Sequence, residues 1–145
     1  MRFSGPSHLQ LALVNAAVLL AAAAAVGLYS VTFPPYFRGA CELTPDGRVA
    51  GWATHKFEPA ERVEVQLYVD GRFVAGGVAN LSRPDVVSAG FAADEWCGYS
   101  FSLPPLAAGE HEARVYAVHA VGDGAYRTLQ LAGSPLRFFT GEGGK

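Results

Sequence analysis

Charge is scarce in this chain of 145 residues, of which 17% are Asp, Glu, Lys or Arg. That is too little for a coiled coil, and with half of the residues apolar it is incompatible with intrinsic disorder. Neither sign is in excess. Eleven Lys and Arg stand against thirteen Asp and Glu, a net charge of −2, so the basic stripe that nucleic acid requires is missing. Cysteine is equally rare. Cys41 and Cys97 are too few to staple a miniprotein or to close a zinc site. His55, His111 and His119 are scattered, with no H-x-x-x-H spacing, and no metal is expected. No G-x-S-x-G elbow or phosphate-cradling glycine loop occurs. Carboxylates such as Glu64 and Asp123 fall on outward strand positions or in turns. We therefore expect no catalytic residue, no metal and no cofactor.

What is abundant is alanine, 24 residues, and glycine, 17. The alanines concentrate in one place. Leu9 to Val31 is a run of 23 uncharged residues in which Gln10, Asn15 and Ser30 are the clearly polar ones. As a helix it would be roughly 34 Å long, enough to cross a hydrocarbon core of about 30 Å. Ser7 and Gln10 form a capping-box spacing behind Pro6. Thr32-Phe33-Pro34-Pro35-Tyr36-Phe37 ends the helix and sets aromatics at the level of a membrane interface. The competing reading is a cleaved signal peptide, with Arg2 as its basic start and cleavage within Ala21–Ala25. Against it, the apolar run continues through Val26, Leu28, Tyr29 and Val31. The expected organisation is an N-terminal stub at 1–8, a transmembrane helix at 9–31 and a Pro/aromatic linker at 32–39. A β-domain at 40–140 and a frayed tail at 141–145 follow.

All thirteen acidic residues lie beyond the helix while Arg2 precedes it. The positive-inside tendency then favours a cytoplasmic stub and an extracytoplasmic domain, single-pass in a bacterial inner membrane. Ala17, Ala21 and Ala25 give a small-residue spacing that lets helices approach closely, and Asn15 could add an interhelical hydrogen bond. An integral-membrane partner is the expectation that follows.

Beyond Gly39 the period changes from helical to alternating. Strands are expected at 48–54, 62–69, 72–80, 99–103, 112–121, 125–131 and 136–140. The clearest is 62–69, where Val63, Val65, Leu67 and Val69 alternate with Glu64, Gln66, Tyr68 and Asp70. Asp70-Gly71 is a hairpin turn signal. About seven strands with Gly and Pro turns point to an all-β fold, an antiparallel immunoglobulin-like β-sandwich; a closed barrel is the alternative.

Gly47-Arg48-Val49-Ala50-Gly51-Trp52-Ala53 and Val63-Glu64-Val65-Gln66-Leu67-Tyr68-Val69-Asp70-Gly71 together carry a recognisable pattern. It continues in Ala79-Asn80-Leu81-Ser82-Arg83-Pro84-Asp85-Val86, in Gly98-Tyr99-Ser100-Phe101-Ser102-Leu103-Pro104, and in Gly109-Glu110-His111 leading to Arg114-Val115-Tyr116-Ala117. Over residues 40–140 this resembles an uncharacterised bacterial immunoglobulin-like sandwich module. The resemblance implies the fold and an association with surface or glycan-related proteins, but no activity.

Four groups of side chains carry specific expectations. Cys41 and Cys97 are expected to form a disulfide closing 57 residues, worth about 4 kcal/mol by chain entropy; two unrelated buried thiols are the alternative. Such a bond would fit an oxidising, external compartment. Arg83 and Asp85 could belong to a ligand loop, with Arg83 clamping an anion. The structural reading has Asn80, Ser82 and Asp85 bonding the local backbone and Pro84 fixing φ. Asn80-Leu81-Ser82 is a formal sequon in the same turn. Trp52 and Trp96 could present a sugar-stacking platform with Tyr68, Tyr99 or Tyr126, although core packing, and for Trp96 cover over a disulfide, is favoured.

Two functional classes follow. One is a non-catalytic accessory subunit clamping an integral-membrane complex, for which a respiratory or photosynthetic assembly would be a suitable host. The short linker would keep its domain near the membrane. The other is a tethered module of the cell envelope whose partner is a glycan.

Overall fold

The structure, a computed structural model, describes residues 8–32, 35–121, 123–124 and 126–141. Ser7 and Pro6 of the expected cap, Phe33-Pro34 of the linker and most of the expected tail lie outside these. The chain divides into two units, Met1–Pro34 and Pro35–Lys145, and each is described by itself.

The first unit is helix α1, His8–Thr32. It is proline-free and rich in Ala and Leu, the residues that lose least entropy in a helix. Its stretch His8–Tyr29 has a mean hydropathy of 2.3 in its most apolar window and is long and apolar enough to cross a membrane. The helix carries no acid in its first turn and no base in its last.

The second unit contains nine strands among the described residues. They are β1 Phe37–Leu43, β2 Arg48–His55, β3 Glu64–Val69, β4 Arg72–Val78, β5 Leu81–Ser82, β6 Trp96–Ser102, β7 Gly109–Val121, β8 Tyr126–Leu131 and β9 Leu136–Thr140, with a short helix α2 at Pro84–Ser88 before β6. One sheet has the order β1-β2-β6-β5, the other β4-β3-β7-β8, with β9 also on β7. Every pairing is antiparallel. Val49, Tyr99 and Phe101 from the first sheet meet Val65, Leu67 and Val115 from the second in one core, as the alternation predicts.

The seven expected strands are all present. β1 is new: it takes the last three residues of the expected linker, which therefore ends at Tyr36. Its sequence, Phe-Arg-Gly-Ala-Cys-Glu-Leu, alternates only weakly, because small Gly39 and Ala40 blunt the contrast between inward Phe37 and Cys41 and outward Arg38 and Glu42. It is a strand because of where it pairs, from Phe37 opposite His55 to Leu43 opposite Val49, an instance of neighbours overriding weak propensity. Phe37 is consequently a core residue, 5% exposed, and not the interfacial aromatic that the linker suggested. Its backbone is also held from the other sheet. Gln130 Nε2 donates to the Phe37 carbonyl at 2.8 Å and its Oε1 accepts from the Phe37 N–H at 3.1 Å, so one amide replaces a strand neighbour at this edge.

The Asp70-Gly71 turn is as expected, with φ of +50° and +75°, both central residues in the left-handed region that a type I′ hairpin needs. Asp70 does more than turn. Its carboxylate accepts from the Glu112 N–H at 2.9 Å and lies 2.7 Å from His111 Nδ1, while His111 Nε2 is 2.8 Å from the Ala107 carbonyl. Both ring nitrogens thus face acceptors, a pattern only the imidazolium satisfies. The Asp70 hydrogen bond and then the Ala107 carbonyl raise the His111 pKa above its ordinary value. A raised folded-state pKa contributes stability that is complete below the unfolded value and lost as pH rises through the folded one. We therefore predict that the melting temperature of the native domain falls relative to the His111→Gln variant as pH is raised from about 6 through the alkaline side. Parallel melting curves that keep a constant gap over that range would exclude the clamp.

Candidate functional site

Cys41 and Cys97 are free thiols, which corrects the expected disulfide. The reason is strand order. Cys41 pairs with Gly51 on β2, and Gly51 pairs on its other side with Tyr99 of β6. A whole strand thus separates the two cysteine-bearing strands, about 9.5 Å at two inter-strand spacings, beyond the roughly 7 Å limit between disulfide-bonded Cα atoms. Cys41 Sγ instead donates to the Ser134 carbonyl at 3.1 Å. Burial raises the pKa of both thiols, which leaves them poorly nucleophilic. Denatured, unreduced protein should therefore take up two maleimides per chain by mass; uptake of none would restore the bond. Without it, the redox argument for an external domain is gone.

The Arg83 loop is also accounted for internally. Arg83 Nε and Nη2 donate to the two carboxylate oxygens of Asp85 at 2.9 and 2.7 Å, a bidentate pair that holds Asp85 below its ordinary pKa. The Arg83 stem lies over Gly98, where an added Cβ would be 2.7 Å from Arg83 Cγ. Of the expected local turn bonds, Asp85 keeps those to the backbone N–H groups of Asp85 and Val86, which lower its pKa further. Ser82 Oγ meets Glu95 Oε2 at 3.2 Å, and Pro84 opens α2 without a side-chain cap. Trp96 sits opposite Ser82 and is exposed, but it does not join Arg83 in the small cleft of about 150 Å³ that Arg83 lines with Trp52, Cys41 and Gly51. The three proposed ligand-loop residues are neighbours without forming a pocket.

Trp52 is half-buried on the outer side of its sheet, stacked on Phe91 at 5.8 Å and 21°, and so is not a core residue as favoured. Tyr68 meets Phe73 and Tyr116 at 75° and 88°. These are edge-to-face pairs, not the flat surface a pyranose ring would stack on. Tyr99 is buried in the core. On α1, Ala17, Ala21 and Ala25 follow one another at four-residue steps and share a face. Asn15 does not share it: two residues at 3.6 per turn put it about 160° round from Ala17.

The richest grouping lies at the pole where β1 begins and β2 ends, and the sequence spacing did not point to it. Tyr36 stacks on His119 at 4.1 Å and 12°, and His55 lies 6.1 Å from His119 between ring centroids. Phe57 meets Tyr36 edge-on at 6.4 Å. His55 and His119, distant in sequence, meet because Phe37 pairs with His55 and β7 carries His119 past Glu64 of β3. His55, 7% exposed, organises the turn that follows it: its Nδ1 accepts from the N–H groups of Phe57 at 3.2 Å and Glu58 at 2.9 Å.

Two clefts share His55. One, of about 500 Å³, runs between the sheets and is lined by Phe37, Glu58, Glu61, Glu64 and His119 among others. The Glu61 carboxyl is held above its ordinary pKa, first by a hydrogen bond with Glu58 and then by burial. The other, of about 390 Å³, lies under Phe91 and is lined by Arg38, Lys56, Phe57 and Pro59 with no carboxylate.

Among the described residues His55, Glu58 and Glu61 bring ligand-type atoms within 4.8 Å of one another. The chemistry does not fit a metal. With Nδ1 accepting two N–H bonds, the neutral His55 ring carries its proton on Nε2 and has no lone pair left to offer. A metal-bound imidazole does the reverse, donating from its second nitrogen to an acceptor. His55 is suited to fixing the turn. No protein-family model matches the chain, and neither a curated protein nor a solved structure is found similar to it.

Proposed function

We propose that this chain is a non-catalytic, membrane-anchored accessory subunit that stabilises an integral-membrane complex. The observation that carries the reading is the joining of a helix of mean hydropathy 2.3 to a two-sheet antiparallel domain. Several of the domain's polar side chains are spent on one another. Arg83 is paired with Asp85, His111 with Asp70 and Ala107, and His55 with its own turn, an arrangement that suits a scaffold better than an enzyme. The domain would be of immunoglobulin type, in keeping with the resemblance to the bacterial module. The order β1-β2-β6-β5 against β4-β3-β7-β8 follows the A-B-E-D and C′-C-F-G arrangement of that fold. The helix would sit in a bacterial inner membrane with the domain on the extracytoplasmic side, an orientation resting on Arg2 and the acids beyond the helix. The glycan-binding alternative has less behind it, because the aromatic pairs on the outer face of the β3–β7 sheet are edge-to-face. Isolation of the intact chain in mild detergent tests the proposal: a defined set of integral-membrane subunits should accompany it.

A further inference from the structure

We infer that the cleft beneath Phe91 is a docking surface for the phosphate-bearing face of a phospholipid bilayer. The inference rests on α1 being inserted, and it goes beyond that by assigning the domain a second contact with lipid. Two cations, Arg38 and Lys56, line the cleft, and no carboxylate does. Neither has a carboxylate within ion-pair distance among the described residues, whereas Arg62, Arg83, Arg114, Arg127 and Arg137 each have one. The acids of this pole, Glu58 and Glu61, line the other cleft, and Asp94 is taken by Arg62.

The rim is aromatic. Phe57 is 56% exposed, Phe91 54% and Tyr36 42%, and Lys56 Nζ stands 5.6 Å from the centre of the Phe57 ring. Large apolar side chains gathered beside unpaired cations need a surface that is apolar below and anionic above. The interface of a bilayer is such a surface: aromatic rings settle at headgroup level, and Lys and Arg meet phosphates. Chain length favours this occupant. Phe33, Pro34 and Pro35 alone separate Thr32, the last residue of α1, from Tyr36 on the rim, at most about 14 Å of extended chain.

The test uses the full chain in nanodiscs of phosphatidylcholine and phosphatidylglycerol, with Cys41→Ala and Cys97→Ala removing the native thiols. Circular dichroism establishes that each variant is folded. A fluorophore is placed singly on Pro59→Cys or Ala93→Cys at the cleft, on Ala108→Cys at the opposite pole, or on Leu20→Cys in the helix, and quenching by brominated lipid is read. Quenching at 20 is expected, with quenching at 59 and 93 about threefold stronger than at 108. Arg38→Gln with Lys56→Gln should make docking about thirtyfold less favourable, bringing 59 and 93 down to the level of 108 while 20 is unchanged. Absence of quenching at 20 would remove the anchor and the docking together. Quenching at 20 with none at 59 and 93 would overturn the docking alone and assign the cleft to a protein partner. Quenching at 59 and 93 that survives loss of both cations would also overturn it.

Discussion

Gly51→Ala is expected to destabilise the β-domain by about 3 kcal/mol or more, a fall in melting temperature of roughly 12–24 °C. Gly51 sits on the core side of β2, directly between Cys41 and Tyr99. The Tyr99 ring crosses it so that the hydroxyl can donate to the Ala40 carbonyl at 3.0 Å. A Cβ built on Gly51 would collide with the Ala40 carbonyl oxygen and lie 2.5 Å from the Tyr99 hydroxyl. The first neighbour is backbone within a paired sheet and cannot yield cheaply. Accommodating the methyl means shifting β1 or expelling Tyr99, and burial already makes loss of its hydrogen bond costly. Tyr99→Phe, which loses the bond but leaves the packing, should cost only about 1–3 kcal/mol. Thermal melts of both variants check the pair of values. A Gly51→Ala domain as stable as the native one would mean that β1 is not held across β2 in this way.

Leucine at Ala17, Ala21 and Ala25 is expected to leave membrane insertion intact and to abolish association with the partner complex. Leucine is more apolar than alanine, so the helix would insert at least as well. What changes is the shape of one face. Close helix packing in lipid depends on small side chains and dispersion along the seam, and three added isobutyl groups would hold a neighbouring helix away. Asn15, about 80–160° round the helix from the three alanines, would be untouched, so Asn15→Leu separates the two contributions. It should remove at most the roughly 0.6–2 kcal/mol of one interhelical hydrogen bond and leave most of the association. Carbonate-washed membranes report insertion, and co-purification in detergent reports assembly. Native-level association of the triple-leucine chain would reduce α1 to a tether and move recognition to the β-domain.

Where the sequence carries a strong period, local pattern and structure agree. The alternation from Val63 to Val69 specifies β3 and its inward face, Asp70-Gly71 specifies the hairpin, and the uncharged run specifies α1. The features it concealed depend on strand order, which no local pattern encodes. β1 alternates only weakly around Gly39 and Ala40, and its place is decided by the residues of β2 opposite it. The two cysteines look like a natural pair along the chain, yet β2 lies between their strands. Asn15 and Ala17 are two positions apart in the helix but face apart because two residues make about 200° of turn. The His55 pole combines Tyr36, His55 with Phe57, and His119 from three separate stretches, so no histidine spacing on a single element marks it. Its one sequence signal was the pairing of exposed aromatics with basic residues at Lys56-Phe57.

The central claim is that the helix is retained and binds partners, and native mass spectrometry of the chain extracted from membranes in mild detergent measures both at once. The account predicts the full chain of 15.3 kDa, present in the membrane fraction and bound to at least one integral-membrane subunit. A soluble chain recovered alone, shortened by the N-terminal residues up to Ala21–Ala25, would identify the apolar segment as a cleaved signal peptide and contradict it.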